Sequence, residues 1–336
     1  MTTAVALPST GAPHSTIDIV DVGHGSCVVV RRGTSVVLID TGPGGAILEY
    51  LRSHDINHID TVILSHADAD HIGGLSAILS QPITVGEILW NGDAIKRSAL
   101  WFDLVYQLAD LDRQGITAAR RSTHMGMEIP VGDDDIRVRV LAPGVVLQHL
   151  VPGSVDREGR TITSNSASIV VQVFVGGEAV LLVPGDLDDI GFEYLEASDL
   201  VSSMSSKYVL MPHHGGWCGS VASTKLMIEN LIAAAAPSAV LVSNGRKRFG
   251  NPRQEVMDAV RRVAPTTKIA CTQISEKCSQ VDVPRAISGL GFSAGWARGY
   301  SCAGTMRISI GADLSARMDH EAHDQFILDS VPNHLC

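Results

Sequence analysis

Short apolar runs rich in Val and Ile, with Gly between them, open the chain at 17–22, 26–30 and 35–39. This is the pattern of successive buried strands. The period then changes. Ile47, Leu48 and Leu51 share one helical face within 46–54, and 61–64 returns to a buried strand. Further helices are predicted at 72–79 and 98–113, with a strand at 83–90 between them. Strands resume at 136–141, 167–175 and 179–183, and a helix follows near 188–196. Strand and helix then alternate: 207–211, 224–235, 239–243, 252–263 and 268–272. A late strand at 306–310 and a terminal helix at 320–330 close the series. Strand clusters in both halves, each followed by helices, predict an α/β domain of two packed sheets with helices outside. Residues 1–16, small and polar with two prolines, read as a tail. The domain is expected over 17–311, with 312–336 as a helix and tail packed back on it. The polar stretch 144–166 reads as a mobile loop.

One segment interrupts this pattern with chemistry. Ser65-His66-Ala67-Asp68-Ala69-Asp70-His71-Ile72-Gly73-Gly74 follows directly on the predicted strand 61–64. Carboxylates and imidazoles so dense at a strand end are costly to bury unpaired, and a divalent cation is their natural partner. His66 and Asp68 can converge on one ion, Asp70 and His71 on a second. Asp186 follows another apolar run and a Pro-Gly turn; it reads as a carboxylate bridging two cations or as a helix N-cap. His213 and His214 end a further strand. One is expected to ligate while the other orients or moves a proton, and the reading takes His213 as the ligand and His214 as the proton carrier. Asp40 reads as a residue orienting His66 or His71, or as a cap on the Thr41-Gly42 turn.

These motifs, in this order, resemble the metallo-β-lactamase superfamily, and most closely its ComEC-type branch, the hydrolase domain of DNA-uptake proteins. There HxDxDHxGG replaces HxHxDH. The resemblance extends over roughly 17–310. Asp21-Val22-Gly23-His24-Gly25-Ser26 is similar to the DVGQGD opening, and Leu38-Ile39-Asp40-Thr41-Gly42 to the family's first metal-region motif. Asn165-Ser166-Ala167-Ser168 stands where lactamases place a third histidine. Pro184-Gly185-Asp186, Met211-Pro212-His213-His214-Gly215 and the loop 243–252 complete the series. The resemblance implies an αββα four-layer sandwich of two mixed sheets with outer helices. It also implies a dinuclear centre drawn from His66, Asp68, Asp70, His71, Asn165, Asp186 and His213, with Asp40 and Ser168 behind them. Asp70, His214 and His24 are the expected catalytic groups. Asn251 stands where the family carries a histidine, and His24 either replaces it in space or is a plain loop histidine.

An oxygen-rich site tilts the choice of two divalent ions from Zn²⁺ toward Mn²⁺ without excluding Zn²⁺. Such a centre suits a phosphodiester, with a metal-bridging hydroxide expected to attack in line. Other esters (lactone, thioester, phosphorylcholine) and a catalytically degenerate binding module are the alternatives. Charge supports an anionic substrate. The chain carries 26 Lys+Arg against 36 Asp+Glu, a net charge of −10, which excludes a bulk binder of nucleic acid. Residues 245–307 nevertheless carry a local excess of +7. Arg246, Lys247, Arg248, Asn251 and Arg253 are expected to contact substrate there. Aromatic residues are only 4%, which speaks against a stacking platform for single strands.

Six cysteines are too few for a disulfide scaffold. Cys271, Cys278, Cys302 and Cys336 could form a structural zinc site, two disulfides or reduced thiols. The N-terminus lacks the pattern of a signal peptide, and no apolar run is long enough to span a bilayer. A cytoplasmic protein is expected. No protein partner is readable.

Overall fold

The computed structural model describes residues 15–93, 95–116, 123–198, 203–283 and 292–335. One sheet comprises β1 (Ser15–Ile19), β2 (Val28–Arg32), β3 (Ser35–Ile39), β4 (His58–Ile63), β5 (Thr84–Leu89), β13 (Met306–Ile310) and β14 (Ala316–Met318), ordered β14-β13-β1-β2-β3-β4-β5. The other comprises β6 (Glu128–Val131), β7 (Asp133–Ala142), β8 (Val170–Val175), β9 (Glu178–Val183), β10 (Tyr208–Leu210), β11 (Ala239–Val242) and β12 (Lys268–Cys271), ordered β12-β11-β10-β9-β8-β7-β6. Both are mixed: β3, β4 and β5 run parallel, as do β9 through β12, and the other ladders are antiparallel.

Period-2 side-chain alternation builds the layers. In β2 and β3, Val28, Val30, Val37 and Ile39 face the opposite sheet, where they meet Val171, Val173, Leu181 and Val183. Val29, Val36 and Leu38 face the other way, against α1 (Ala46–Ser53), α2 (Ala69–Leu79) and α3 (Ala99–Arg113). The second sheet is covered by α5 (Asp189–Glu196), α6 (Val221–Ala235), α7 (Gln254–Val263) and α8 (Glu321–Ser330). Strands buried on both faces read as unbroken apolar runs, which is why these were legible in the sequence. The result is an αββα four-layer sandwich. No helix among the described residues is long and apolar enough to cross a membrane.

Several boundaries differ from expectation. β1 starts at Ser15, inside the expected tail, because Ser15 and Thr16 already pair with Arg32 and Arg31. The segment 144–166 is not featureless: it holds the short helix α4 (Val145–His149) and a bridge between Val155 and Thr161. The 312–336 segment adds the edge strand β14 as well as a helix. Helix α2 begins at Ala69, so Asp70 and His71 lie in its first turn.

The carboxyl ends of the parallel strands in both sheets open on one rim, where ligands bind in open α/β sheets. Loops there pack closely. A Cβ on Gly74 would stand 2.2 Å from Thr41 O, and one on Gly25 2.3 Å from Asp70 O. Gly74 N–H donates to Gly42 O at 2.8 Å, and Ser26 N–H donates to Asp70 O at 3.1 Å. Gly74→Val should therefore lower stability by roughly 1–3 kcal/mol in urea unfolding. An unchanged midpoint would show that this close approach does not matter.

Candidate metal centre

Five loops at this rim bring their side chains together. Asp40 follows β3, the 65–71 turn follows β4, Asp186 follows β9, His213 and His214 follow β10, and Ser243 follows β11. Asp40, His213 and His214 hold left-handed backbone angles (φ 58°, 50° and 56°), which non-glycine residues adopt only when their surroundings enforce them.

The hydrogen bonds fix which ring nitrogen faces inward. Asp40 is fully buried; its carboxylate accepts from Ser65 N–H at 2.7 Å, from Ser65 Oγ at 2.8 Å and from His71 Nδ1 at 2.7 Å. With its proton given to Asp40, Ser65 Oγ is left to accept from His66 Nδ1 at 3.0 Å. His214 Nδ1 lies 2.8 Å from Ser243 O, which can only accept, so that nitrogen carries the proton. In the neutral imidazoles all three Nε2 lone pairs are consequently free and converge. Asp40 thus orients His71 directly and His66 through Ser65, the hydrogen-bonded support typical of metal-ligating imidazoles. It does not cap the Thr41-Gly42 turn.

The convergence is close. Asp186 Oδ1 lies 3.2 Å from His71 Nε2 and 3.6 Å from His214 Nε2; its Oδ2 lies 3.8 Å from both His66 Nε2 and His213 Nδ1. Asp70 Oδ2 lies 3.5 Å from both His214 Nε2 and His24 Nε2. His71 and His214 face each other Nε2 to Nε2 at 3.3 Å. His66, His71 and Asp186 offer ligand atoms within 4.8 Å of one another, as do His24, Asp70 and His214. Tetrahedral Zn²⁺ with arms of about 2.0–2.1 Å holds neighbouring donor atoms about 3.3–3.5 Å apart, so these spacings suit cations. His66 Nε2 and Asp186 Oδ1 are buried with no hydrogen-bond partner among the described residues, as is His24 Nδ1. The first two point at the gap between the groups. The donor set fits two divalent ions.

Electrostatics agree. Burial pushes His66 and His24 down to about 4, which leaves them neutral and able to ligate. Burial works against the charge on Asp186, yet His71 and His214 hold its carboxyl well below the usual range. Burial likewise opposes protonation of His71, yet Asp186 and Asp40 raise it well above an ordinary imidazole. His214 is also raised, by Asp186 and Asp70 against its burial.

The remaining expected residues divide. Asn165 Nδ2 donates to His213 Nδ1 at 3.3 Å, so Asn165 does stand at this centre. Asp68 Oδ2 lies 3.8 Å from His66 Nε2, while its Oδ1 takes the Lys96 ammonium. Lys96, next to Arg97 in a loop, belongs to no motif and gave no signal in the sequence. Ser168 is buried against Gly185 with its hydroxyl unpartnered, and touches none of the ligand atoms described above. Asp186 is no helix cap: Asp188 caps α5, accepting from Gly191 N–H at 2.8 Å.

The basic lip is smaller than expected. Arg246 is buried with its guanidinium spent on Ile274 O, Ser279 O, Val281 O and Asp282, so it is not a substrate contact. Lys247 pairs with Asp282 and Tyr300. Asn251 and Arg253 line a cleft of about 350 Å³ over the centre, together with Trp217 and Phe249, and Arg248 lies exposed beside Phe249. Cys271, Cys278 and Cys302 are buried in one cluster beneath α7 and α8, with Cys302 Sγ 3.3 Å from His323 Nε2. Cys336 lies outside the described residues. Neither metal-capable group found among the described residues contains a cysteine.

The fold and this rim define a metal-dependent hydrolase. The profile of the metallo-β-lactamase superfamily matches residues 20–245, and the chain belongs to that superfamily. It is similar to the competence protein ComA of Neisseria gonorrhoeae (27% identical over 250 residues) and to ComE operon protein 3 of Bacillus subtilis (26% over 274 residues). Each alignment takes in 73% of this chain but only 29% and 30% of those proteins, so the chain matches about three-tenths of their length. Among solved structures, the metallo-β-lactamase fold protein YhfI of Bacillus subtilis aligns at 12% identity and TM-score 0.47, over 77% of this chain and 96% of YhfI. Tm1679, a metal-dependent hydrolase of the β-lactamase superfamily, aligns at 18% and 0.48 with the same coverages.

Two outcomes are expected. His71 and His214 hold protons more tightly than free imidazole in the metal-free protein, so a cation must displace them. Zn²⁺ affinity should rise with pH, and titration calorimetry in buffers of different ionisation enthalpy should show net proton release near neutrality. Binding without proton release would contradict the assignment. Asp40→Asn should weaken Zn²⁺ binding by roughly 10–100-fold in chelator competition, and wild-type affinity would remove its orienting role.

Proposed function

We propose that the chain is a dinuclear-metal phosphodiesterase acting on nucleic acid. The observation that carries this reading is the buried Asp186 carboxylate, which faces His71 and His214 with one oxygen and His66 and His213 with the other. His66, His71 and Asp186 would hold one ion, and His24, Asp70 and His214 the other. Asp68 and Asn165 stand at the edge of the first set. Two bound divalent ions, Mn²⁺ or Zn²⁺, supply Lewis acidity and neutralise charge developing on the oxygens around phosphorus.

The chain's own groups do the rest. Arg253 and Arg248 bring guanidinium forks to the cleft for non-bridging phosphate oxygens. His213 is one-third exposed, and its Nδ1 accepts from Asn165, which leaves Nε2–H free to donate toward a leaving oxygen. His214, by contrast, is buried with Nδ1 locked on Ser243 O, which suits a ligand better than a proton carrier. The structure therefore favours exchanging the roles first read for these two histidines. His24 joins the ligand set instead of replacing the missing family histidine.

DNA is the first nucleic acid to test. One of the similar proteins is a competence protein, and the HxDxDHxGG motif resembles that of DNA-uptake hydrolases. The same reading takes the activity as cytoplasmic, a location that the low cysteine content supports. The purified chain, loaded with Mn²⁺ or Zn²⁺, should hydrolyse bis-p-nitrophenyl phosphate and single-stranded DNA. Asp70→Ala should lose roughly 10²–10³-fold or more in kcat while keeping its circular dichroism. Absence of turnover with both ions, or an equally active Asp70→Ala protein, would contradict the reading.

A further inference from the structure

Two aromatic rings stand at the mouth of the metal cleft, although the chain as a whole is poor in aromatics. Phe249 is 62% exposed, an unusual position for a phenylalanine, and its backbone is left-handed at φ 55°. A bulky residue is held there only when the surrounding loop enforces it. Its ring packs on His24 with centroids 4.6 Å apart, so the inner edge is anchored on the metal-binding set while the outer face meets solvent. Trp217 is half-buried on the wall of the same cleft.

Each ring carries an arginine. Arg248 lies over Phe249 at 5.5 Å and Arg253 over Trp217 at 5.7 Å. Arg253 Nε is buried and has no hydrogen-bond partner among the described residues. Planar rings interleaved with guanidinium groups match a chain whose planar bases alternate with phosphates.

The geometry points to Phe249 and Trp217 as base-stacking residues that hold the nucleobases next to the scissile phosphate of a single-stranded polynucleotide. This rests on the phosphodiesterase reading and adds the part of the substrate that the metal centre does not see. Duplex bases are already stacked and cannot present their faces, so the surface selects single strands.

The test uses the metal-loaded full chain and oligomers with phosphorothioate linkages that resist hydrolysis, so that binding is read without turnover. Fluorescence anisotropy compares a labelled thymidine oligomer with an abasic deoxyribose-phosphate oligomer of equal length, a uridine oligomer and a duplex. The thymidine oligomer should bind roughly tenfold or more tighter than the abasic one. Phe249→Leu combined with Trp217→Leu should bring the two to equal affinity, whereas Arg253→Gln should weaken both alike. A base preference shared by the uridine oligomer also supports the inference and extends it to RNA. Equal binding of base-bearing and abasic oligomers by the wild type would overturn it. So would a preference surviving in the folded double variant, or duplex bound as tightly as single strand. Hydrolysis of bis-p-nitrophenyl phosphate separates the two claims. Turnover without base preference removes the stacking role alone, while base preference without turnover removes the phosphodiesterase and leaves the stacking surface standing.

Discussion

Convergence of unshared lone pairs governs this rim. Each of three imidazole Nε2 atoms lies 3.2–3.8 Å from an oxygen of Asp186, and His66 Nε2 and Asp186 Oδ1 have no hydrogen-bond partner among the described residues. Electron-rich atoms in a buried setting repel unless positive charge lies between them, and an unpaired buried polar atom is itself costly. Protons can meet part of the demand, because Asp186 beside His71 and His214 favours the protonated form of each ring. Divalent cations meet it more completely, because each takes several donors at once.

The rest of the structure keeps those atoms converged. The backbone strain at Asp40, His213 and His214 lies next to the ligand atoms, where strain is expected if the surrounding packing over-determines it. The hydrogen-bond network of Asp40, Ser65, His66 and His71 joins the ends of two adjacent parallel strands, β3 and β4. Ser243, after β11, holds His214 through its carbonyl and Gly25 O through its hydroxyl, tying the second sheet to the opening loop of the first. Both sheets therefore contribute to one centre, and sliding one over the other would break it. The apolar layer between the sheets is part of the catalytic apparatus in that sense.

Much of this was legible in the sequence. Val- and Ile-rich runs gave the doubly buried strands, and the 65–74 motif gave a strand-end cluster by residue type alone. What escaped was local geometry. The edge strands β6 and β14 are short, one carrying a proline and the other only three residues long, so neither has a periodic signal. Arg246 looked like its neighbours in a basic run, and only the 274–282 loop folding over it revealed a buried, fully bonded guanidinium. The contrast between His213 and His214 lies in what each Nδ1 meets, the Asn165 amide or Ser243 O, and adjacent identical residues carry no such information. Lys96 reaches Asp68 across 28 positions with no motif around it. A low aromatic count could not show that two of the few rings sit at one cleft.

The central claim is that Asp186 joins two cation sites. Anomalous diffraction from crystals grown with Mn²⁺, and separately with Zn²⁺, tests it most directly. The account predicts two peaks about 3.5–4 Å apart, each within bonding distance of a different Asp186 oxygen or sharing one. One peak carries His66 and His71, the other His24, Asp70 and His214. A single ion, or two ions with Asp186 bonded to neither or only one, would contradict it.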